Sequence, residues 1–143
     1  MRTFALAALI SLLPLAPALA ADMPMRAEVF KDKRCGCCEG WVEYLQQHGW
    51  QVTVHDTEDM ETVKDRLGVP EQMRSCHTAK VGPYVVEGHV PLEAIEKLFK
   101  ESPKVTGIAS PGMPQGSPGM SGEKEPNPVV TFGNGGAKLM GVY

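Results

Sequence analysis

The chain has 143 residues, 43 % of them hydrophobic, and a formal net charge of −3. That balance leaves no basic stripe, so it gives nucleic-acid binding no electrostatic support. The length suits one small domain with a modest core, which a metal or a disulfide would help to stabilise.

The N-terminus reads as a secretory signal. Arg2 supplies a positive start, "FALAALISLLPLAPALA" an apolar run, and Ala18-Leu19-Ala20 a cleavage site before Ala21. Pro14 and Pro17 interrupt the run, which is too short for a good membrane span. Residues 1–20 are therefore expected to be removed and the rest to be exported to a compartment where disulfides persist. Whether the mature chain associates with a membrane is left open by these residues. A short lead, residues 21–26, carries Met23 and Met25.

Ala27–Asp32, "AEVFKD", predicts a first strand. A helix follows from Cys37 to His48, because Cys38, Trp41, Val42 and Leu45 fall on one apolar face. Gly49 stops it. Trp50–Asp56 alternates as a second strand. Asp59 caps a shorter helix carrying Met60, Val63 and Leu67, which ends at Gly68. "PEQMRSCHTAKVG" is mostly connection, with a strand beginning in "TAKV". "PYVVEGHVP" is a strand that turns at Glu87-Gly88. "PLEAIEKLFKES" is a helix with Pro91 at its start and the stripe Leu92, Ile95, Leu98, Phe99.

The order β-α-β-α-β-β-α belongs to an α/β, thioredoxin-like single domain, a mixed sheet flanked by helices, spanning residues 27–106. Residues 107–143 form a C-terminal extension. It begins as an irregular Gly/Pro/Met-rich segment from Gly107 to Pro128. "VVTFGNGGAKLMGVY" then predicts a terminal hairpin turning at Asn134-Gly135. The extension is expected to pack on the domain.

The chemistry concentrates in "KRCGCCEGW". Cys35, Cys37 and Cys38 sit where the first strand meets the first helix. The helix N-terminus, Lys33 and Arg34 all favour thiolates there. Thiolates serve equally as nucleophiles of disulfide exchange and as ligands of soft metals. Cys76 and His77, in "RSCHTAKVG", precede the third strand, which this fold packs against the same helix end. His89 follows in "EGHVP". The alternatives are a Cys35–Cys38 disulfide with Cys37 spare, and a disulfide between Cys37 and Cys76. Adjacent Cys37 and Cys38 cannot pair without severe strain. Met113 and Met120, in an exposed-looking loop, are further soft donors or simple packing residues. His48 and His55 read as surface groups and Trp41 as core.

"CGCCEGWVEYL", "SCHTA", "YVVEGHVP" and "GIASPGMPQGSPGM" together resemble the CopG-like periplasmic copper-resistance proteins, a family long catalogued as a domain of unknown function. The resemblance runs from about Ala27 to Met120. It implies a thioredoxin-like fold and a site of bridging cysteines for copper, as Cu(I) or Cu(II), with several ions per chain. It also implies a role in copper or silver resistance in the envelope of a Gram-negative bacterium. Carried onto this sequence, the metal-site residues are Cys35, Cys37, Cys38 and Cys76, with His77 and His89 as neighbours. The partners it implies are copper ions and other periplasmic copper-handling proteins. Two other readings stand beside it: a thiol–disulfide oxidoreductase of the envelope, favoured by Cys35-x-x-Cys38, and a Cu(I) metallochaperone. The oxidoreductase reading lacks a convincing Thr-Pro or Val-Pro before the third strand.

Overall fold

The computed structural model describes residues 25–143. The expected signal segment and Met23 lie outside the described residues. The chain runs β1 (Arg26–Lys31), α1 (Gly36–Gln47), β2 (Gln51–Asp56), α2 (Met60–Arg66), a 3-10 turn (Glu71–Met73), β3 (Thr78–Val81), β4 (Tyr84–Glu87) and α3 (Leu92–Glu101). Three further strands follow: β5 (Gly107–Ala109), β6 (Pro128–Phe132) and β7 (Lys138–Val142). They build one sheet in the order β2-β1-β3-β4-β5-β6-β7. β1 pairs with β2 in parallel and with β3 antiparallel, and β3 with β4 antiparallel. This is the thioredoxin-like arrangement, extended on one side by β5 to β7.

The two long helices form because their apolar residues recur at helical spacing. Cys38, Trp41, Val42 and Leu45 of α1 are buried, as are Leu92, Ala94, Ile95, Leu98 and Phe99 of α3. Both stripes share one core with Val29, Ala79, Val81, Val86 and Ile108. Gly49, at φ 83°, lets the chain leave α1 in the left-handed region, and its N–H returns to Gln46 O at 2.9 Å. The Asp59 side chain accepts the Thr62 N–H at 3.0 Å and starts α2. A second core of Val69, Met73, Val85, Ala109 and Phe132 lies on the other face of the sheet. Val85 and Val86 belong to different cores because successive strand residues point to opposite faces.

Two details differ from the sequence pattern. β2 alternates as expected, yet only Trp50, just before it, is buried, and Val54 is 37 % exposed. The strand lies at the sheet edge, so its apolar residues reach the core only at its start. Gly107–Ala109, placed by the sequence pattern in the irregular segment, is β5, parallel to β4. Three residues are too few to show a period. Gly107 is required there, since a Cβ would lie 2.0 Å from Val85 O. β6 and β7 pair antiparallel as a terminal hairpin, with Gly133, Gly135 and Gly136 in its turn, all at positive φ. Among the described residues, no helix is long and apolar enough to cross a membrane.

Candidate metal centre

The loop after β1 is shaped before any cysteine is reached. Asp32 accepts the Arg34 backbone N–H at 2.8 Å and its guanidinium at 3.2 Å. Those contacts hold the Asp32 carboxyl down at about 2. Cys35 N–H donates to Asp32 O at 3.0 Å and closes the turn. Cys35 is then the N-cap of α1, in extended conformation. One helical turn sets its neighbours: Cys38 faces the core and is fully buried, whereas Cys35 and Cys37 are half-buried. Cys35 and Cys38 are joined by a disulfide. Cys37 and Cys76 are free thiols. The Cys37 Sγ lies 3.6 Å from Cys35 Sγ and 3.8 Å from Cys76 Sγ.

The second component comes from the β3–β4 hairpin. Thr78 and Glu87 are cross-strand partners, so Cys76-His77 and Gly88-His89 leave the sheet side by side. The Gly88 N–H donates to His77 O at 3.0 Å. Gly88 sits at φ 73°, and a Cβ there would lie 2.6 Å from Ser75 Cβ, so the two segments approach closely. The Cys76 Sγ lies 3.3 Å from His77 Nδ1 and 3.0 Å from His89 Nε2. His89 Nδ1 is 2.8 Å from Pro118 O. A carbonyl only accepts, so Nδ1 carries the hydrogen and the neutral ring turns its Nε2 lone pair toward Cys76.

Burial sets the protonation of this cluster. It pushes His77 well below the usual histidine range, helped by His89 and Lys64, and lowers His89 as well. It pushes the Cys76 thiol up to about 12, with Cys37 adding to the effect. The thiolates expected of Cys35 and Cys38 at the helix N-terminus are replaced by their disulfide, and Cys76, on the hairpin side, carries its proton. A metal arriving at Cys76 displaces its proton.

A strap from the C-terminal extension closes the site from above. Gly119 sits at φ 83° against the first turns of α1, where a Cβ would lie 2.4 Å from Trp41 N and 2.8 Å from Cys37 O. Gly40 faces it, and a Cβ on Gly40 would lie 2.9 Å from Gly119 O. The preceding residue, Pro118, supplies the carbonyl that orients His89. Buried Asn127 donates to His89 O at 3.0 Å and accepts from Ser110 Oγ at 2.6 Å. The extension thus braces His89 at both its ring and its backbone.

All six candidate residues are gathered in one place. The ligand atoms of Cys35, Cys37, Cys38 and Cys76 lie within 4.8 Å of one another, as do those of Cys76, His77 and His89. Cys76 belongs to both groups. Sulfur and imidazole donors at this density fit a soft or borderline metal such as copper. His77 Nε2, buried without a hydrogen-bond partner, is a further unspent imidazole nitrogen. Met120 is half-buried and Met113 is 56 % exposed. His48 is exposed and turned to Tyr44 O, and His55 stacks on Phe30. Sequence reasoning missed the buried charges beneath the hairpin, Lys64 and Glu87. The signal was a lone acid in the apolar strand "YVVEGHV".

The family model described as "Protein of unknown function, DUF411" matches residues 73–120. No curated protein matches the chain. Two solved structures are similar over nearly their whole length. Copper resistance protein CopG, form 1, is 43 % identical, with 84 % of this chain and 98 % of that chain covered and a TM-score of 0.77. Form 2 is 42 % identical, with 82 % and 97 % covered and a TM-score of 0.76. At that identity and coverage, this chain belongs to the family of the copper resistance protein CopG.

Proposed function

We infer that this protein binds copper as its cargo in the periplasm, within a copper-resistance system. The observation that carries this reading is the convergence of four sulfurs and two imidazoles from three separate segments. Cys35, Cys37, Cys38 and Cys76 hold Cu(I), and His77 and His89 stand beside them. Thiolates bridge, so the cluster accommodates more than one ion.

The Cys35–Cys38 disulfide ties up two of the four sulfurs, so in this reading full loading follows their reduction. A dithiol donor of the envelope supplies the two electrons and two protons, becomes a disulfide itself and frees two more thiols here. In the reverse direction, two Cu(II) ions oxidise the dithiol, yielding two Cu(I), two protons and the disulfide. The protein then couples the oxidation state of copper to that of its cysteines.

Elemental analysis of protein purified from a copper-supplemented periplasm, paired with a free-thiol count, tests this. Copper at more than one ion per chain is expected. The metal-free oxidised protein is expected to show two free thiols, Cys37 and Cys76, and four after reduction. Protein with native thiols and no copper would contradict the reading.

One observation favours a second reading. A disulfide spanning two residues at the N-terminus of α1 is the arrangement of a thiol–disulfide oxidoreductase. Robust insulin reduction by metal-free protein, with Cys76 dispensable, would select it over copper handling.

A further inference from the structure

Beneath the metal centre, on the opposite face of the sheet, lies a pair of buried charges that copper chemistry does not use. Lys64 of α2 and Glu87 at the end of β4 are 2 % and 0 % exposed. Lys64 Nζ donates to Glu87 Oε1 at 2.6 Å and to Thr78 Oγ1 at 3.0 Å. Glu87 also accepts the Ser75 backbone N–H at 2.6 Å through Oε1 and the Thr78 hydroxyl at 2.6 Å through Oε2. Ser75 and Thr78 bracket Cys76 and His77. Glu87 itself stands two residues before His89. One carboxylate therefore ties both ends of the Cys76-His77 segment to the strand that delivers His89.

Stability alone is a poor account of this arrangement. The desolvation of a buried ion pair largely offsets its attraction, and apolar residues of similar size commonly pack as well. A charged carboxylate gives what an apolar pair lacks: short, directed, charge-assisted bonds to a chosen backbone N–H and hydroxyl. Such bonds matter where a loop must stay in one place. Cys76 is also the residue common to both groups of donor atoms.

We propose that Glu87, hydrogen-bonded by Lys64, is a positioning residue for the metal centre: it fixes the Cys76-His77 segment against His89. Its purpose rests on the copper reading, but the grip itself is a property of the metal-free chain and is testable there.

The experiment uses the whole reduced chain without metal. Native-state alkylation by iodoacetamide is followed at Cys76 and Cys37 by mass spectrometry. The variants are the double substitution Lys64→Met with Glu87→Leu, and the near-isosteric Glu87→Gln, which decides the matter if the double variant does not fold. Phe132→Leu, in the second core, serves as a control for simple loss of stability. The double variant is expected to alkylate at Cys76 about tenfold faster or more, as a local opening becomes easier, with Cys37 unchanged. Glu87→Gln keeps one acceptor and is expected to fall between the double variant and the parent. Cu(I) affinity is expected to fall about 10- to 100-fold in the double variant. Cys76 rates that match the Phe132→Leu control would overturn the proposal. Should the parent chain take up no Cu(I) while Cys76 alkylation still depends on Glu87, the positioning role stands and the copper reading fails. Should copper bind while alkylation ignores Glu87, the reverse holds.

Discussion

Cys76→Ser is expected to lower the affinity of the reduced protein for Cu(I) by at least about 100-fold, more than the loss of a group that merely supports a ligand. The reason is its place in the cluster. Cys76 lies 3.8 Å from Cys37 on the α1 side and 3.0 Å from His89 on the hairpin side. It is the one residue through which the sulfur group and the Cys-His group meet. A serine hydroxyl still accommodates His89, but it is a hard donor with little affinity for Cu(I). Folding should change little, by about 1 kcal/mol, because the side chain is only half-buried and the His89 contact has a substitute. Chelator competition for Cu(I) measures the first quantity and urea unfolding the second. An unchanged affinity would mean that the hairpin side takes no part in binding.

Trp41→Ala is expected to produce the largest loss of stability, about 3–5 kcal/mol. Trp41 is fully buried in the stripe of α1. Its indole N–H donates to Val90 O at 2.9 Å, one residue past His89. Its ring packs on His77, with centroids 4.6 Å apart. Removing it opens a cavity, strands a buried carbonyl and takes away the wall behind His77. Thermal and urea unfolding of the metal-free protein should show the full loss. Trp41→Phe, which keeps most of the volume and loses the donor, should cost less, about 1–3 kcal/mol. A loss below about 1 kcal/mol for Trp41→Ala would be inconsistent with burial in a well-packed core.

These two residues differ in how they could be read from the sequence. Trp41 was legible through periodicity: Cys38, Trp41, Val42 and Leu45 are buried as their spacing predicts. The same pattern carried α3 and the order of elements up to β4, and hence the fold. Cys76 and His77 were legible because the fold brings the start of β3 to the helix end, and residue type did the rest. What the sequence hid is long-range. The Cys35–Cys38 disulfide was one of several pairings that four cysteines allow. The use of Gly40 and Gly119 as facing surfaces depends on a strap that crosses from the extension to α1. Pro118 acts through its backbone carbonyl, which any residue type would supply. Nothing in the local pattern marks Lys64 as buried; its contact is with Glu87, 23 residues later. β5 escaped because its strand character comes from pairing with β4, not from any alternation of its own.

The central claim is that "CGCC" and "SCHT" form one copper site. Anaerobic titration of the fully reduced protein with Cu(I), against a competing chelator, tests it most directly. The account predicts tight binding of more than one Cu(I) per chain, strongly weakened by Cys35→Ser. Weak binding that Cys35→Ser leaves unaffected would contradict it.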